Sequence, residues 1–347
     1  MHALIALAPG LLFLAALWLM DTFRLVRATS IAMALLYGAG AALVCEALHL
    51  WLLPASGFDS LSFSRYVAPL TEETAKAVFV AVLIARGRIG FLVDAAVLGF
   101  AVGTGFAIVE NATYLRDLTD APLILWALRG LGTGVLHAGA TAVAAIAGKA
   151  MMDRYRRAPL AVLPGIALAM VLHSVYNHLL AFPTVAAFAT LIALPVVVVA
   201  VFERSERATR EWVGAGLDLD LTLLQLMVSD GFQGTRFARY LGALPERFDS
   251  VVVADMFCLL RIELELAVQA KARLIAQQAG LMLPVDPDVH AALAERSYLQ
   301  HSIGRTGLLA LEPLRVTSHR DYWHQHLLKQ SGSHARARRW WQRLFGG

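Results

Sequence analysis

Charged residues and cysteines are both scarce in this chain. Only 16% of its 347 residues are charged, whereas 58% are hydrophobic, and the mean hydropathy is +0.60. That balance argues against a soluble enzyme and indicates a polytopic membrane protein. The two cysteines, Cys45 and Cys258, fall in different regions, so neither a disulfide framework nor a cysteine-based zinc site is expected. A net charge of only +4 gives no support for nucleic-acid binding.

Basic residues are missing ahead of the first apolar run, and Arg24 and Arg27 follow it instead. That order is typical of a retained membrane span rather than a cleaved signal peptide. Six further runs are also long enough to cross a hydrocarbon core of ~30 Å. The seven predicted spans lie near residues 3–20, 30–53, 66–85, 89–115, 122–149, 158–181 and 182–202.

The distribution of charge divides the chain into two predicted domains. Residues 1–202 hold 22 charged residues, whereas the shorter segment 203–347 holds 34. We therefore expect an all-α fold, with a polytopic transmembrane helix bundle of about seven spans followed by a helical cytoplasmic tail that is regulatory or packs beneath the membrane domain. Residues 248–279 of the tail predict a long amphipathic helix, and the basic and aromatic residues at 336–345 favour the inner membrane surface.

The loops between the predicted spans alternate in charge. One set of loops carries eleven basic residues, and the other set carries only Arg65 and Arg116. By the positive-inside rule, the first set faces the cytoplasm. We therefore expect a multi-pass protein of the cell membrane, with its N-terminus outside and its tail cytoplasmic. The eleven residues are Arg24, Arg27, Arg86, Arg88, Lys149, Arg154, Arg156, Arg157, Arg204, Arg207 and Arg210.

Three ionisable residues interrupt the third predicted span. Glu72, Glu73 and Lys76 lie within an otherwise apolar run, although an ionisable group costs roughly 3 kcal/mol at the centre of a bilayer. Lys76 follows the glutamates by four and three residues, so it can neutralise either of them on one helix face. We interpret these residues as part of a functional site.

Polar residues in other spans fall at a similar depth. A helix rises about 1.5 Å per residue, so the number of residues from the outer end of a span gives the depth of a side chain. On this basis the polar residues lie about 6–15 Å below the outer surface, and His137 lies at the same depth if its span begins near Arg129. This agreement predicts one shared polar site in the outer half of the bilayer. Its members are Glu72 and Glu73 in span three, Glu110 and Asn111 in span four, His137 in span five, and His173 and Asn177 in span six.

Structural roles remain open for several of these residues. Glu110 can simply pair with Arg129, and His137 can bridge two helices. Asn111 and Asn177 can form interhelical hydrogen bonds.

Other features of the spans are weaker signals. Glu46 and His49 in span two lie near its outer end and are lesser candidates for the site. Asp94, near the cytoplasmic end of span four, is interpreted as structural. The pattern Gly99-Phe-Ala-Val-Gly103 predicts close helix packing.

Adjacent carboxylates beside a cation suit the activation of water. One of Glu72 and Glu73 can stay ionised and deprotonate a water molecule, with Lys76 tuning the pair. His173 and Asn177 can then stabilise the oxyanion that forms on a peptide carbonyl. The predicted reaction is the hydrolysis of an acyl or peptide bond within the membrane.

A zinc-dependent assembly is the alternative. Glu110, His137 and His173 can bind a zinc ion with an open position for water, while Glu72 or Glu73 acts as the base. Motifs of other intramembrane hydrolases are missing, because the chain has no His-Glu-x-x-His, no Gly-x-Gly-Asp and no serine in a Gly-x-Ser context.

The motifs resemble those of a known family in order, spacing and span placement. Across about residues 66–181 they are similar to the PrsW family of intramembrane proteases, a relative of the CAAX prenyl endopeptidase/Abi group. The motifs are Glu72-Glu73-x-x-Lys76, Phe106-Ala107-x-x-Glu110-Asn111-x-x-Tyr114, His137 and His173-x-x-Tyr176-Asn177.

The resemblance implies site-1 type cleavage of a membrane-anchored regulator such as an anti-sigma factor. The implied partners are that protein substrate and the lipid bilayer, and the implied essential residues are Glu72, Glu73 and His173. The family is grouped with metalloproteases, whereas its relatives imply a glutamate mechanism. Compared with CAAX endopeptidases, Glu110 replaces a histidine and Lys76 replaces an arginine one residue later, which argues against prenylated substrates.

A non-enzymatic membrane module is the rival interpretation. Carboxylates and histidines in a helix bundle also serve proton relays, as in a proton-coupled transporter, and an immunity-type binding protein is a further possibility. Transporters commonly show repeat symmetry between their halves. The motif residues fall in spans three to six without such a repeat, which favours the protease.

Overall fold

Helices make up every element in the described part of the chain, which confirms the all-α prediction. The computed structural model describes residues 1–23, 25–155, 160, 162–281, 288–314 and 328. The chain divides into two compact units, which are Met1–Arg207 and Ala208–Gly347. Predictions that concern Arg24, Arg156, Arg157 and residues 336–345 fall outside the described residues.

Seven long helices begin in the described part of the first unit, close to the predicted spans. The last of them begins at Pro183 and continues past the predicted boundary at residue 202, because the residues that follow include many good helix formers such as Glu, Arg, Ala and Leu. They are α1 (His2–Met20), α2 (Ala28–Ser56), α3 (Ala68–Ala85), α4 (Leu92–Asp117), α5 (Val135–Tyr155), α6 (Leu163–Leu179) and α7 (Pro183–Val228).

Among the described residues, five helical segments are long and apolar enough to cross a membrane, so a polytopic membrane bundle is supported. α3 is not among them because it carries three ionisable residues, and α6 is not because it has only 17 residues. The number seven therefore remains a prediction. The five segments are His2–Met20, Ala28–Ser56, Leu92–Asp117, Leu123–Arg154 and Pro183–Val228.

Glycines let α4 pack closely against its neighbours. A Cβ atom on Gly103 would lie 2.1 Å from the carbonyl oxygen of His137 on α5, and one on Gly99 would lie 2.8 Å from that of Thr141. On the other side, a Cβ on Gly105 would lie 2.1 Å from the carbonyl oxygen of Leu35 on α2. The small-residue pattern therefore brings backbones together, as predicted, and it holds His137 against α4.

Two helices of the site begin with a π-helical turn. Phe63–Val67 precedes α3, and Arg129–Gly134 separates a short helix, Leu123–Leu128, from α5. The second turn interrupts the helix within the predicted fifth span. Turns of this kind are rare and often lie at functional sites.

The second unit contains the end of α7 and three further helices: α8 (Arg236–Ala243), α9 (Ser250–Gln278) and α10 (Asp288–Ala310). α9 agrees with the predicted amphipathic helix. Its N-terminus is capped by Asp249, whose carboxylate accepts a hydrogen bond from Val251 N at 2.9 Å. On its inner side, Lys271 Nζ contacts Asp220 Oδ2 of α7 at 2.6 Å, with both side chains buried.

Candidate active site

The ionisable residues of α3 face the interior of the first unit. Lys76 Nζ donates to Glu73 Oε1 at 2.6 Å, and neither side chain is exposed by more than 1%. The ammonium also lies 4.5 Å from the centroid of the Phe106 ring on α4. A buried carboxylate and ammonium are stable in a low-dielectric interior only as a pair, and the i,i+3 spacing supplies that pair.

Glu73 is also bound by a histidine from α6. His173 Nδ1 lies 2.8 Å from Glu73 Oε1, and 3.9 Å from Glu72 Oε2. One oxygen of Glu73 therefore accepts hydrogen bonds from both Lys76 and His173. That carboxylate is engaged in holding two other groups of the site.

Both ring nitrogens of His137 have hydrogen-bond partners. Lys76 Nζ lies 2.9 Å from its Nδ1, and Glu110 Oε2 lies 2.7 Å from its Nε2. An ammonium can only donate, so Nδ1 is the acceptor, and Nε2 carries the proton that is donated to Glu110. The His137 and His173 rings stand nearly perpendicular, with their centroids 4.9 Å apart.

An arginine completes the outer side of the cluster. Arg129 Nη2 lies 3.1 Å from Glu110 Oε1, so the suggested pairing of these residues exists, in addition to the bond from His137. Arg129 Nε donates to Asn111 Oδ1 at 2.9 Å, and Asn111 Nδ2 donates to the carbonyl oxygen of Ala6 at 2.9 Å. Asn111 is thus the interhelical hydrogen-bond partner that the sequence suggested.

Glu72 differs from its neighbours in having a free oxygen. Its Oε2 is buried and has no hydrogen-bond partner among the described residues. The Glu72 side chain is 12% exposed and that of Glu110 is 27% exposed, whereas those of Lys76, Glu73 and His137 are at most 1% exposed. Access to the cluster is therefore from the side of Glu72 and Glu110.

Three side chains form a candidate metal group, although with a different carboxylate from the predicted one. Glu72, His137 and His173 each offer a donor atom within 4.8 Å of the others, and Glu110 lies behind His137. A zinc ion needs a free lone pair from each ligand at about 2.0–2.2 Å. Glu72 Oε2 is free, but Lys76 occupies His137 Nδ1. The residues as arranged therefore do not fit a three-ligand metal site.

Asn177 lies apart from the glutamates. Its Nδ2 donates to the carbonyl oxygen of Ser64 at 2.6 Å, and Ser174 Oγ donates to that of Arg65 at 2.7 Å. Both acceptors belong to the π turn ahead of α3. Asn177 thus forms an interhelical hydrogen bond, which is one of the roles left open from the sequence. Pro69, which lacks a backbone N–H, is the sequence signal for the carbonyls that Asn177 and Ser174 occupy.

The lesser candidates have local partners. His49 Nε2 lies 2.7 Å from Thr71 Oγ1, and Glu46 Oε2 accepts from Thr113 Oγ1 at 3.4 Å. Asp94 Oδ2 accepts from the backbone N–H groups of Gly90 and Phe91, at 2.9 and 3.1 Å, so it caps the start of α4 as the structural interpretation required.

Comparison with known proteins gives one match. The family model described as PrsW family intramembrane metalloprotease matches residues 22–202, which is just over half of the chain and includes every motif residue. No curated protein and no solved structure matches the chain. The protein therefore belongs to the PrsW family and is an intramembrane protease.

Proposed function

We propose that this protein cleaves a membrane-anchored protein substrate with Glu72 as the base that activates water. The observation that carries this assignment is the buried Glu72 Oε2, which has no hydrogen-bond partner among the described residues. Glu73, by contrast, accepts from Lys76 and His173 through one oxygen. A base must have a lone pair available to the water it deprotonates, and Glu72 meets that condition.

The proposed reaction has two steps. Glu72 takes a proton from a water molecule while the water oxygen bonds to the scissile carbonyl carbon, and the carbonyl oxygen becomes an oxyanion. The protonated Glu72 then gives that proton to the amine nitrogen as the carbon–nitrogen bond breaks. His173 donates from Nδ1 to Glu73 at 2.8 Å, and in its doubly protonated form it supports the oxyanion by donating from Nε2.

The remaining charged residues hold this arrangement. Lys76 neutralises Glu73 and donates a hydrogen bond to Nδ1 of His137, while Glu110 accepts one from Nε2 of the same ring. Arg129 in turn neutralises Glu110. Preorganised charges of this kind cost no rearrangement during the reaction.

A zinc-dependent version is the second candidate, and the family description favours it. When bound, zinc lowers the pKa of a water molecule and polarises a carbonyl. Glu72, His137 and His173 are the residues that would hold it. That version requires Lys76 to leave His137, which the first version does not.

We infer the nature of the substrate from the motifs and the topology from the loop charges. The motif resemblance favours a membrane-anchored regulator of the anti-sigma-factor type, cut at site 1. The alternation of loop charge supports an outside N-terminus and a cytoplasmic tail. On this topology, residues 1–202 are the protease domain, residues 203–347 are a regulatory cytoplasmic region, and cleavage takes place in the outer half of the bilayer.

The test compares two matched glutamate variants in cells. Membrane proteins from cells with the wild type, Glu72→Gln and Glu73→Gln are analysed for new protein N-termini, and Asp117→Asn serves as an exposed control. We expect the cleavage product to disappear in Glu72→Gln although the protein accumulates normally, and to persist in Asp117→Asn. Unchanged product with Glu72→Gln contradicts the assignment of the base.

A further inference from the structure

We propose that Asn177 and Ser174 are positioning residues, which set the rotation of α3 by occupying two carbonyl groups of the π turn Phe63–Val67. In this proposal Asn177 acts on the reaction indirectly, and not through the catalytic role that the sequence predicted. The inference deepens the proposed function and rests on it. Neither residue touches Glu72 or Glu73 through a described hydrogen bond.

Proline at position 69 creates the need for these two donors. Ala68 N–H bonds the carbonyl of Phe63, five residues back, so it is not available to Ser64. The next residue, Pro69, has no N–H to give. In an α-helix, the carbonyl of Ser64 would accept a hydrogen bond from the N–H of residue 68, and in a π-helix from the N–H of residue 69. Neither donor is available to it here.

The carbonyl of Arg65 is affected by the same proline. Its α-helical donor would be residue 69, which is Pro69. Asn177 Nδ2 occupies Ser64 O at 2.6 Å, and Ser174 Oγ occupies Arg65 O at 2.7 Å. Buried carbonyls without partners are strongly disfavoured inside a membrane, so these two bonds stabilise the π turn relative to other backbone arrangements.

The π turn decides which way α3 faces. Each residue of an α-helix turns the chain by about 100°, so one extra residue in a turn rotates everything that follows it by about that angle. Glu72 and Glu73 come five and six residues after the end of the turn. The turn therefore sets whether the two carboxylates point at the histidines of α5 and α6.

α6 holds α3 at two points one helical turn apart. His173 contacts Glu73, and Asn177, four residues later on the same face, contacts the carbonyl of Ser64. From the opposite side, His49 of α2 lies 2.7 Å from Thr71 Oγ1 and packs edge-on against Phe63, with ring centroids 5.1 Å apart. The start of α3 is thus fixed by two helices.

A double-mutant cycle between positions 69 and 177 distinguishes positioning from catalysis. Pro69→Ala returns a backbone N–H that reaches the Ser64 carbonyl when the π turn is kept, so this carbonyl then has a donor other than Asn177. We expect Asn177→Ala to lower kcat by about 10- to 100-fold, since small displacements of reacting groups have effects of that size, with KM little changed. In the Pro69→Ala background, the same substitution should cost less than about threefold. An equal loss in both backgrounds would overturn the proposal.

Ser174 provides a second test, in which Pro69 is left unchanged. Ser174→Thr keeps the hydroxyl group, whereas Ser174→Val has the same size as threonine without it. We expect cleavage close to wild type in Ser174→Thr and a loss similar to that of Asn177→Ala in Ser174→Val. Equal activity in the two variants would also overturn the proposal.

Thermal unfolding of the full chain in detergent separates failure of this inference from failure of the proposed function. If Glu72→Gln retains cleavage, the proposed base is wrong, but the coupling of positions 69 and 177 can still be read as a Tm difference. We expect Asn177→Ala to lower Tm more in the wild type than in Pro69→Ala. Equal Tm losses contradict the assigned contact whatever the identity of the base.

Discussion

Lys76 Nζ lies 2.9 Å from His137 Nδ1, and both side chains are almost completely buried. The same ammonium donates to Glu73 Oε1 at 2.6 Å. One lysine therefore joins a carboxylate of α3 to an imidazole of α5, and it occupies the position on His137 that a metal ion would require.

Removing this ammonium should destabilise the bundle. Lys76→Met leaves Glu73 buried beside His173 without its cation, and breaking a buried pair from one side costs roughly 3–5 kcal/mol. We expect the free energy of unfolding in detergent to fall by about that amount. Lys76→Met combined with Glu73→Gln should lose much less than the sum of the two single effects, because neither partner is then left charged. Additive losses would show that the two residues do not act as a pair.

Zinc binding should depend on the absence of Lys76. We expect purified wild-type protein to hold much less than one zinc ion per chain, because His137 has no free lone pair. Lys76→Met should gain zinc measurable by elemental analysis, and Lys76→Met/His137→Gln should lose it again. One zinc per wild-type chain that disappears in Glu72→Gln would instead support the metal-dependent version of the site.

The close approach of α4 and α5 should be sensitive to a single methyl group. In Gly103→Ala, the new Cβ would lie 2.1 Å from the carbonyl oxygen of His137, so α5 must move and take His137 with it. We expect a loss of about 1–3 kcal/mol in stability and a fall of about 10- to 100-fold in cleavage rate. Gly40→Ala is the matched control, because nothing lies within 4 Å of its Cβ, and it should change neither quantity appreciably. Wild-type behaviour of Gly103→Ala would contradict this packing.

A second buried pair lies in the other unit. Lys271 Nζ contacts Asp220 Oδ2 at 2.6 Å and lies 5.0 Å from the centroid of the Trp212 ring. We expect Lys271→Met to destabilise this unit by roughly 3–5 kcal/mol, and Lys271→Met/Asp220→Leu to recover most of that loss because no charge stays buried alone. Limited proteolysis of the full-length variants measures the change. Equal protease sensitivity of the single and double variants would argue against the pair.

Residue spacing and depth predicted the contacts of the polar cluster well. The helical spacing placed Lys76 within reach of both Glu72 and Glu73, and it pairs with Glu73. The expected depth of His173, which His137 shares if its span begins near Arg129, anticipated that these histidines meet. Helix boundaries in the first unit were also close for most spans, since apolar runs mark them directly. These features depend on local periodicity, which a sequence displays.

Residue spacing could not predict which of Glu72 and Glu73 keeps a free oxygen and which one binds His173. Both residues fit the spacing to Lys76, and only tertiary contacts reveal that His173 lies closer to Glu73. Asn177 was expected beside the reacting carbonyl because it follows His173 by one turn. Its contact with Ser64 depends on a π turn, and a π turn depends on which distant side chains are present to occupy the released carbonyls.

The 17-residue length of α6 bears on the lipid around it. As a span, it covers about 25 Å, which is about 5 Å less than a typical hydrocarbon core. Acyl chains beside a short span compress to match it, and the bilayer thins locally. If α6 crosses the membrane, thinning there would bring interfacial water closer to the free oxygen of Glu72. Lipids with longer acyl chains should therefore slow cleavage by opposing that compression.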